Sequence, residues 1–184
     1  MGQIIIPFVY DKITMPPDKD RLILVCKEGK YGFIDAAGTE IFECQWDNSA
    51  SFSNGYCIVN CGDKNYIIDV EGNVITEVPY KSGSFDQNGF AYVFLNETGQ
   101  YGLSNIDGKE IMQPIYDRIS SLNNELVLLR IGSFNDGHYG VGSKNGEILF
   151  DPVYNTISDF VDGYCLVIGD QEWFIINEHG QKVL

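Results

Sequence analysis

The chain has 184 residues, enough for one domain with a real core or for two small ones. Apolar residues make up 44% and charged residues 21%, an ordinary globular balance, while 12 Lys+Arg against 26 Asp+Glu give a formal charge of −14 that argues against nucleic acid or an anionic membrane surface as partner. The longest uninterrupted apolar stretch, Ile4 to Tyr10, is far short of the ~20 residues of a spanning helix, and no basic-then-apolar leader opens the chain.

Read from the N-terminus, the chain repeats itself. Turn glycines recur at Gly2, Gly38, Gly72, Gly108, Gly146 and Gly180, about 36 residues apart. Eight residues after each of the first five stands a large aromatic: Tyr10, Trp46, Tyr80, Tyr116 and Tyr154. Apolar runs end at Val25, Val59, Val93, Leu129 and Val167, and units open on Tyr31, Tyr101, Tyr139 and Trp173, with Tyr66 one place late after Asn65. The units run over residues 2–30 (partial), 31–64, 65–100, 101–138, 139–172 and 173–184 (partial), within a single repeat domain spanning 1–184.

Each unit punctuates into short strands. Phe33-Ile34-Asp35, a glycine turn and Glu40-Ile41-Phe42 form a hairpin signal. The position before the turn holds Asp35, Asp69, Asn105, Ser143 or Asn177, side chains that bond the backbone just ahead and set the turn. At the turn itself, Gly38, Gly108, Gly146 and Gly180 are expected at positive φ. Gly32, Gly102 and Gly140 each follow an aromatic and are expected where a neighbour packs too closely for a side chain. The final strands, Tyr56–Val59, Leu126–Leu129 and Tyr164–Ile168, are apolar on both faces, which places their sheets between neighbouring sheets. No segment sustains a period of 3.6, so almost no helix is expected.

Units such as KYGFIDAAGTEIFECQWDNSASFSNGYCIV from Lys30, QYGLSNIDGKEIMQPIYDRI, and HYGVGSKNGEILFDPVYNTISDFVDGYCLV resemble the WG-repeat (KWG-repeat) family. Gly32, Gly102 and Gly140 match its second Gly, Pro114 and Pro152 its Pro, and Asp11, Asp47 and Asp117 its Asp. Tyr31, Tyr101 and Tyr139 replace the signature Trp, Trp173 keeps it but is followed by Phe174, and the unit from Asn65 to Val93 is the most degenerate. The resemblance covers essentially the whole chain and implies a β-repeat module, mostly of bacterial proteins, with no activity attached. The fold expected is all-β: about five tandem antiparallel units of ~36 residues in a propeller-like closed array, or an open β-solenoid of the same repeats.

Chemistry is sparse. The five cysteines, Cys26, Cys44, Cys57, Cys61 and Cys165, are an odd number with no zinc spacing, which points to reduced thiols and a cytoplasmic rather than secreted setting. No nucleophile elbow, phosphate loop or metal pattern occurs, so no catalytic residue, cofactor or metal is assigned. The aromatics at Tyr10, Trp46, Tyr80, Tyr116 and Tyr154 form either an inter-repeat core or a sugar-stacking ladder. The residues after them, Asp11, Asp47, Lys81, Asp117 and Asn155, either cap strand ends or make an acidic rim. Variable loops are the better place for function. Arg130–His138, with Phe134, Asn135, Asp136 and His138, and Met15–Arg21, with Asp18 and Asp20, are the two irregular ones. The function expected is a non-catalytic scaffold binding a protein or peptide, a basic one suiting the charge. A carbohydrate module using exposed aromatics is the alternative, and a weak hydrolase, needing acids and a His in one pocket, the third.

The termini are in phase. Trp173–Asn177 is expected beside Ile4–Ile6, closing the array. The tail Gln181–Leu184 repeats the pattern of Gln3–Ile6 and is expected to lose that place to the more apolar head.

Overall fold

A computed structural model of the chain describes residues 9–15, 22–48, 51–86, 90–95, 99–133 and 135–184, and the backbone alone over Phe90–Leu95. Ile4–Ile6, Asp18, Asp20 and Phe134 lie outside these residues. The described elements are all strands, in line with the absence of helical periodicity, and no helix is long and apolar enough to cross a membrane. They group into two compact units, Met1–Gly89 with Ile106–Gly108, and Phe90–Asn105 with Lys109–Leu184.

In the first unit, β1 (Lys12–Thr14), β2 (Ile23–Lys27), β3 (Lys30–Ile34) and β4 (Glu40–Trp46) form an antiparallel sheet in chain order. A second sheet follows from β5 (Tyr56–Cys61), β6 (Lys64–Asp69) and β7 (Val74–Val78). Leu22, just ahead of β2, and Phe33, Phe42 and Trp46 of the first sheet bury against Cys57, Val59 and Ile68 of the second. The other face of the first sheet buries Ile23, Val25 and Ile34 with Tyr10 and Cys44 beside them. Alternate side chains of one strand thus enter different cores, which is why these strands carry few polar positions. β8 (Ser82–Phe85) is tied to the turn before β5, where the Ser53 hydroxyl and the Asn54 amide donate to the Phe85 carbonyl at 2.8 and 2.7 Å.

The second unit repeats the plan. β9 (Phe90–Leu95), β10 (Gln100–Asn105) and β11 (Glu110–Tyr116) run side by side. β12 (Arg118–Ser121), β13 (Leu126–Ile131), β14 (His138–Ser143) and β15 (Ile148–Tyr154) form a four-stranded sheet, and β16 (Thr156–Ile157), β17 (Tyr164–Ile168) and β18 (Trp173–Asn177) a further one. Val127 and Leu129 of β13 pack with Leu103, Met112, Tyr116 and Ile119, while Leu126 joins Val141, Cys165, Val167, Phe174 and Ile176. β17 departs from the expectation of two buried faces. Cys165 and Val167 are buried, but Tyr164, Leu166 and Ile168 are 53%, 37% and 38% exposed, because among the described residues no sheet covers that face.

The glycine after each unit's first aromatic has a definite structural cause. Tyr31 pairs with Trp46 and Phe33 with Phe42, so three residues of β4, Glu43–Gln45, bulge opposite Gly32 alone. The same irregularity recurs between Tyr101–Tyr116 and Leu103–Met112, and between Tyr139–Tyr154 and Val141–Phe150. The bulging backbone sits on the glycine Cα. A Cβ at Gly32 would meet the Phe42 carbonyl oxygen at 2.6 Å, at Gly102 that of Met112 at 2.7 Å, and at Gly140 that of Phe150 at 2.5 Å. Pro114 and Pro152 stand in the bulge itself, where a missing N–H leaves no ladder bond unmade. In the degenerate unit Tyr66 occupies the glycine's place, and there the strands pair in step, Asn65 with Val78, Tyr66 with Glu77 and Ile67 with Thr76.

The hairpin turns follow their chemistry. Gly38, Gly108, Gly146 and Gly180 have φ of 84, 77, 96 and 76°. Asp35 accepts the Ala37 and Thr39 N–H groups at 2.8 and 2.7 Å, and the Thr39 bond above all holds its carboxyl below the ordinary carboxylate range. Asp69, Asn105, Ser143 and Asn177 likewise accept from the residue four places on.

The tail corrects one expectation. Lys182 bridges Ile176, the Val183 N–H donates to the Ile175 carbonyl at 2.8 Å, and the Ile175 N–H donates to Leu184 at 3.0 Å. The tail therefore takes the edge of β18 that was expected to receive Ile4–Ile6. The short turn through His179 and Gly180 closes a loop of a few residues, whereas the head must be brought from the far end of the chain.

Candidate functional site

Three turns of the second unit converge on one pocket of about 350 Å³. The β12–β13 turn brings Asn123, Asn124 and Glu125, the β16–β17 turn brings Phe160 and Gly163, and the turn after β18 brings Glu178 and His179. Asn123 organises the first turn: its Oδ1 accepts the Glu125 and Leu126 N–H groups, both at 2.8 Å. Its Nδ2 donates to the Glu178 carbonyl at 2.9 Å and so ties the first turn to the last. Across the pocket, His179 Nδ1 lies 2.9 Å from Glu125 Oε2, and His179 Nε2 lies 3.9 Å from Glu178 Oε1. The hydrogen bond to Glu125, then the negative charges of Glu125 and Glu178, push the His179 pKa above its ordinary value. The pocket offers two carboxylates, two amides and an aromatic face to whatever enters it. Its lining has no hydroxyl or thiol nucleophile, and among the described residues no His, Cys, Asp and Glu group is placed to hold a metal ion. A pocket of the first unit, between Asn48, Phe52 and Ser82–Ser84, has no charged side chain in its lining.

The residues singled out in the sequence fall elsewhere. Asn135 and Asp136 are exposed on the β13–β14 turn, where the Asp136 N–H donates to Ser133 Oγ at 3.2 Å, and His138 is exposed at the start of β14. Trp46, Tyr80 and Tyr116 are buried, and Tyr10 and Tyr154 half-buried, so this aromatic series forms core rather than a stacking ladder. The Tyr80 hydroxyl donates to the Gly108 carbonyl at 2.9 Å. The acidic positions after the aromatics cap strand ends: Asp11 accepts the Glu28 N–H, Asp47 that of Gly62 and Asp117 that of Gly132, each at 2.7 Å. Asp47 also pairs with Lys30, and that bond, followed by the Gly62 N–H, lowers its pKa.

All five cysteines are free thiols. Burial pushes the Cys57 thiol up to about 12, and raises Cys44 and Cys165 as well, whereas Cys61 is exposed. A thiol-reactive disulfide reagent should therefore label Cys61 rapidly in the native protein and reach Cys57 and Cys165 only on unfolding; rapid labelling of Cys57 would contradict the packing of β5.

Compared with solved structures, the chain is similar to KlHsv2 with its loop 6CD replaced by a Gly-Ser linker, at 10% identity and TM-score 0.51 over 97% of this chain and 72% of that one. It is similar to a eukaryotic initiation factor, at 9% identity and TM-score 0.52 over 95% and 52%, and to Hsv2 of Kluyvelomyces marxianus, at 14% identity and TM-score 0.50 over 92% and 60%. At these identities the likeness is one of fold, and it makes the chain a propeller-like all-β repeat protein. The profile of the WG-containing repeat matches residues 1–31, 31–64, 101–133 and 139–168, more than half of the chain, so the protein belongs to the WG-containing repeat family. No curated protein matches the sequence.

Proposed function

We propose that this protein is a non-catalytic binding module, a propeller-like array of five repeats that holds a protein or peptide partner by a basic side chain. The observation that carries the reading is the turn pocket, in which Glu125 and Glu178 flank a space walled by Phe160 and edged by the amides of Asn123 and Asn124. A lysine or arginine entering it would meet carboxylates at its charged end and an aromatic face along its stem. The formal charge of −14 would draw such a partner in and speed the encounter. The repeat fold supports a scaffold role because its turns can vary while the sheets stay packed. The acids and histidine that a hydrolase would need do meet in this pocket, which makes a weak hydrolase the second reading the geometry supports. A reducing, cytoplasmic setting belongs to the proposal and is supported by the free thiols.

The test is fluorescence polarisation with labelled peptides of matched length, rich in Lys/Arg or in Asp/Glu. Saturable binding of the basic set alone, weakened by added salt, is expected. Equal binding of both sets, or binding only of oligosaccharides in a parallel glycan screen, would overturn the reading.

A further inference from the structure

Inside the turn pocket, one side chain already holds the place of a ligand. The His179 ring reaches both carboxylates, its Nδ1 2.9 Å from Glu125 Oε2 and its Nε2 3.9 Å from Glu178 Oε1. The two nitrogens diverge in the plane of one flat ring, so each faces its own acceptor. Neither carboxylate has another hydrogen bond or ion pair among the described residues. The backbone fixes how far apart the two acceptors start. Asn123 Nδ2 donates to the Glu178 carbonyl at 2.9 Å, and Asn123 Oδ1 accepts the Glu125 N–H at 2.8 Å, so one amide joins the two residues. With its amide engaged in this way, Asn123 leaves recognition of a charge to the carboxylates. Phe160 is a fixed wall, since it is half-buried and packs against the core that holds Cys165 and Phe174.

We propose that the pocket selects arginine over lysine. The inference rests on the reading of this pocket as a site for a basic side chain. A guanidinium is flat and spreads its N–H donors around its edges, so it can take the place of the imidazole and serve both carboxylates at once. His179 must then swing aside, a move open to a side chain that is 55% exposed. The guanidinium plane also stacks on aromatic faces, and Phe160 supplies one. A lysine ammonium is a compact, strongly hydrated point charge with all its donors on a single nitrogen. Set against two acceptors that face different edges of a ring, it pairs with one and leaves the other to water. Two acceptors held at a fixed spacing therefore favour the ligand whose donors are themselves fixed.

The experiment is fluorescence polarisation of the full chain with capped, labelled peptides of one length, otherwise Gly and Ser, that carry arginine, lysine or citrulline. It is run at about pH 8, above the ordinary imidazole value. The arginine peptide should bind at least about fivefold more tightly than the lysine peptide. The citrulline peptide, which keeps the shape of arginine without its charge, should not bind. Glu178→Gln changes an exposed side chain and leaves a single carboxylate in the pocket. It should bring the arginine affinity down to that of lysine and change the lysine affinity by no more than about twofold, because Glu125 remains. Equal affinities for arginine and lysine in the parent would overturn the selection and leave the basic-side-chain reading standing, whereas binding of neither would overturn both. Citrulline binding as tight as that of arginine, or an arginine preference undiminished in Glu178→Gln, would also overturn the assignment, because charge paired to two carboxylates would then not be its source.

Discussion

Replacing Gly140 by alanine is expected to destabilise the protein by about 3 kcal/mol, at the upper end of overpacking costs. The new methyl group would lie 2.5 Å from the Phe150 carbonyl oxygen, 2.7 Å from the Pro152 nitrogen and 2.8 Å from the Asp151 carbonyl carbon. All three are backbone atoms of the bulge in β15, and Pro152 stiffens it further. Relief requires moving the bulge and with it Phe150 and Tyr154, which pack on Phe174 at ring separations of 5.2 and 5.4 Å. Gly142, two residues on in the same strand, is the internal comparison. A methyl there would meet the Met112 Cε at 2.6 Å, but that is the far end of a flexible side chain that can swing away. Gly142→Ala should therefore cost only about 1 kcal/mol. Chemical denaturation monitored by circular dichroism separates the two, and equal midpoints for both variants would show that the bulge yields as easily as the methionine.

How much of this was legible in the sequence depends on whether the cause is local. The turn glycines and the acceptors before them, Asp35 with Gly38 and Asn177 with Gly180, act within five residues, and their spacing alone is informative. The need for close approach at Gly32, Gly102 and Gly140 was also readable, but its cause was not. Pairing register decides which residues bulge, and register lives in the neighbouring strand. Tyr66 carries the missing half of that argument, since its unit lost both the glycine and the bulge opposite it, and keeps only the irregularity between Ile67 and Ile68. The exposure of Leu166 and Ile168 was invisible because an apolar strand reads the same whether or not a second sheet arrives to cover it. The turn pocket was missed for a similar reason: Glu125 and His179 are 54 residues apart and meet only through the fold. One signal was present. The turns Phe52-Ser53-Asn54-Gly55 and Phe160-Val161-Asp162-Gly163 both end in a glycine at positive φ, and the equivalent turn Leu122-Asn123-Asn124-Glu125 puts a carboxylate there instead. A departure from the repeat at a turn, where no core demands it, marks a residue kept for what it presents to solvent.

That carboxylate should make binding of a basic peptide depend on pH through His179. The histidine's pKa is raised chiefly by its hydrogen bond to Glu125, so the pair is fully formed below the ordinary value of 6.5 and is lost as pH rises through the raised one. In the free protein the stabilisation contributed by the pair follows the same course, so the melting temperature should fall across that window. Ligand binding runs the other way. A lysine or arginine needs the Glu125 charge that His179 engages when protonated, so affinity should rise as the histidine loses its proton and Glu125 is released. His179→Gln should remove both pH dependences and leave binding at acidic pH, above the carboxylate range, as tight as at neutral pH. Glu125→Gln combined with Glu178→Gln should weaken binding about tenfold or more at neutral pH, the loss expected when a charged ligand forfeits both of its acceptors. Polarisation titrations of the three proteins in steps from about pH 5.5 to about pH 8.5, from roughly one unit below to roughly two above the ordinary imidazole value, read these outcomes directly. A parent affinity that stays flat across the range while the melting temperature falls would place the His179–Glu125 pair in the fold alone and the basic side chain elsewhere.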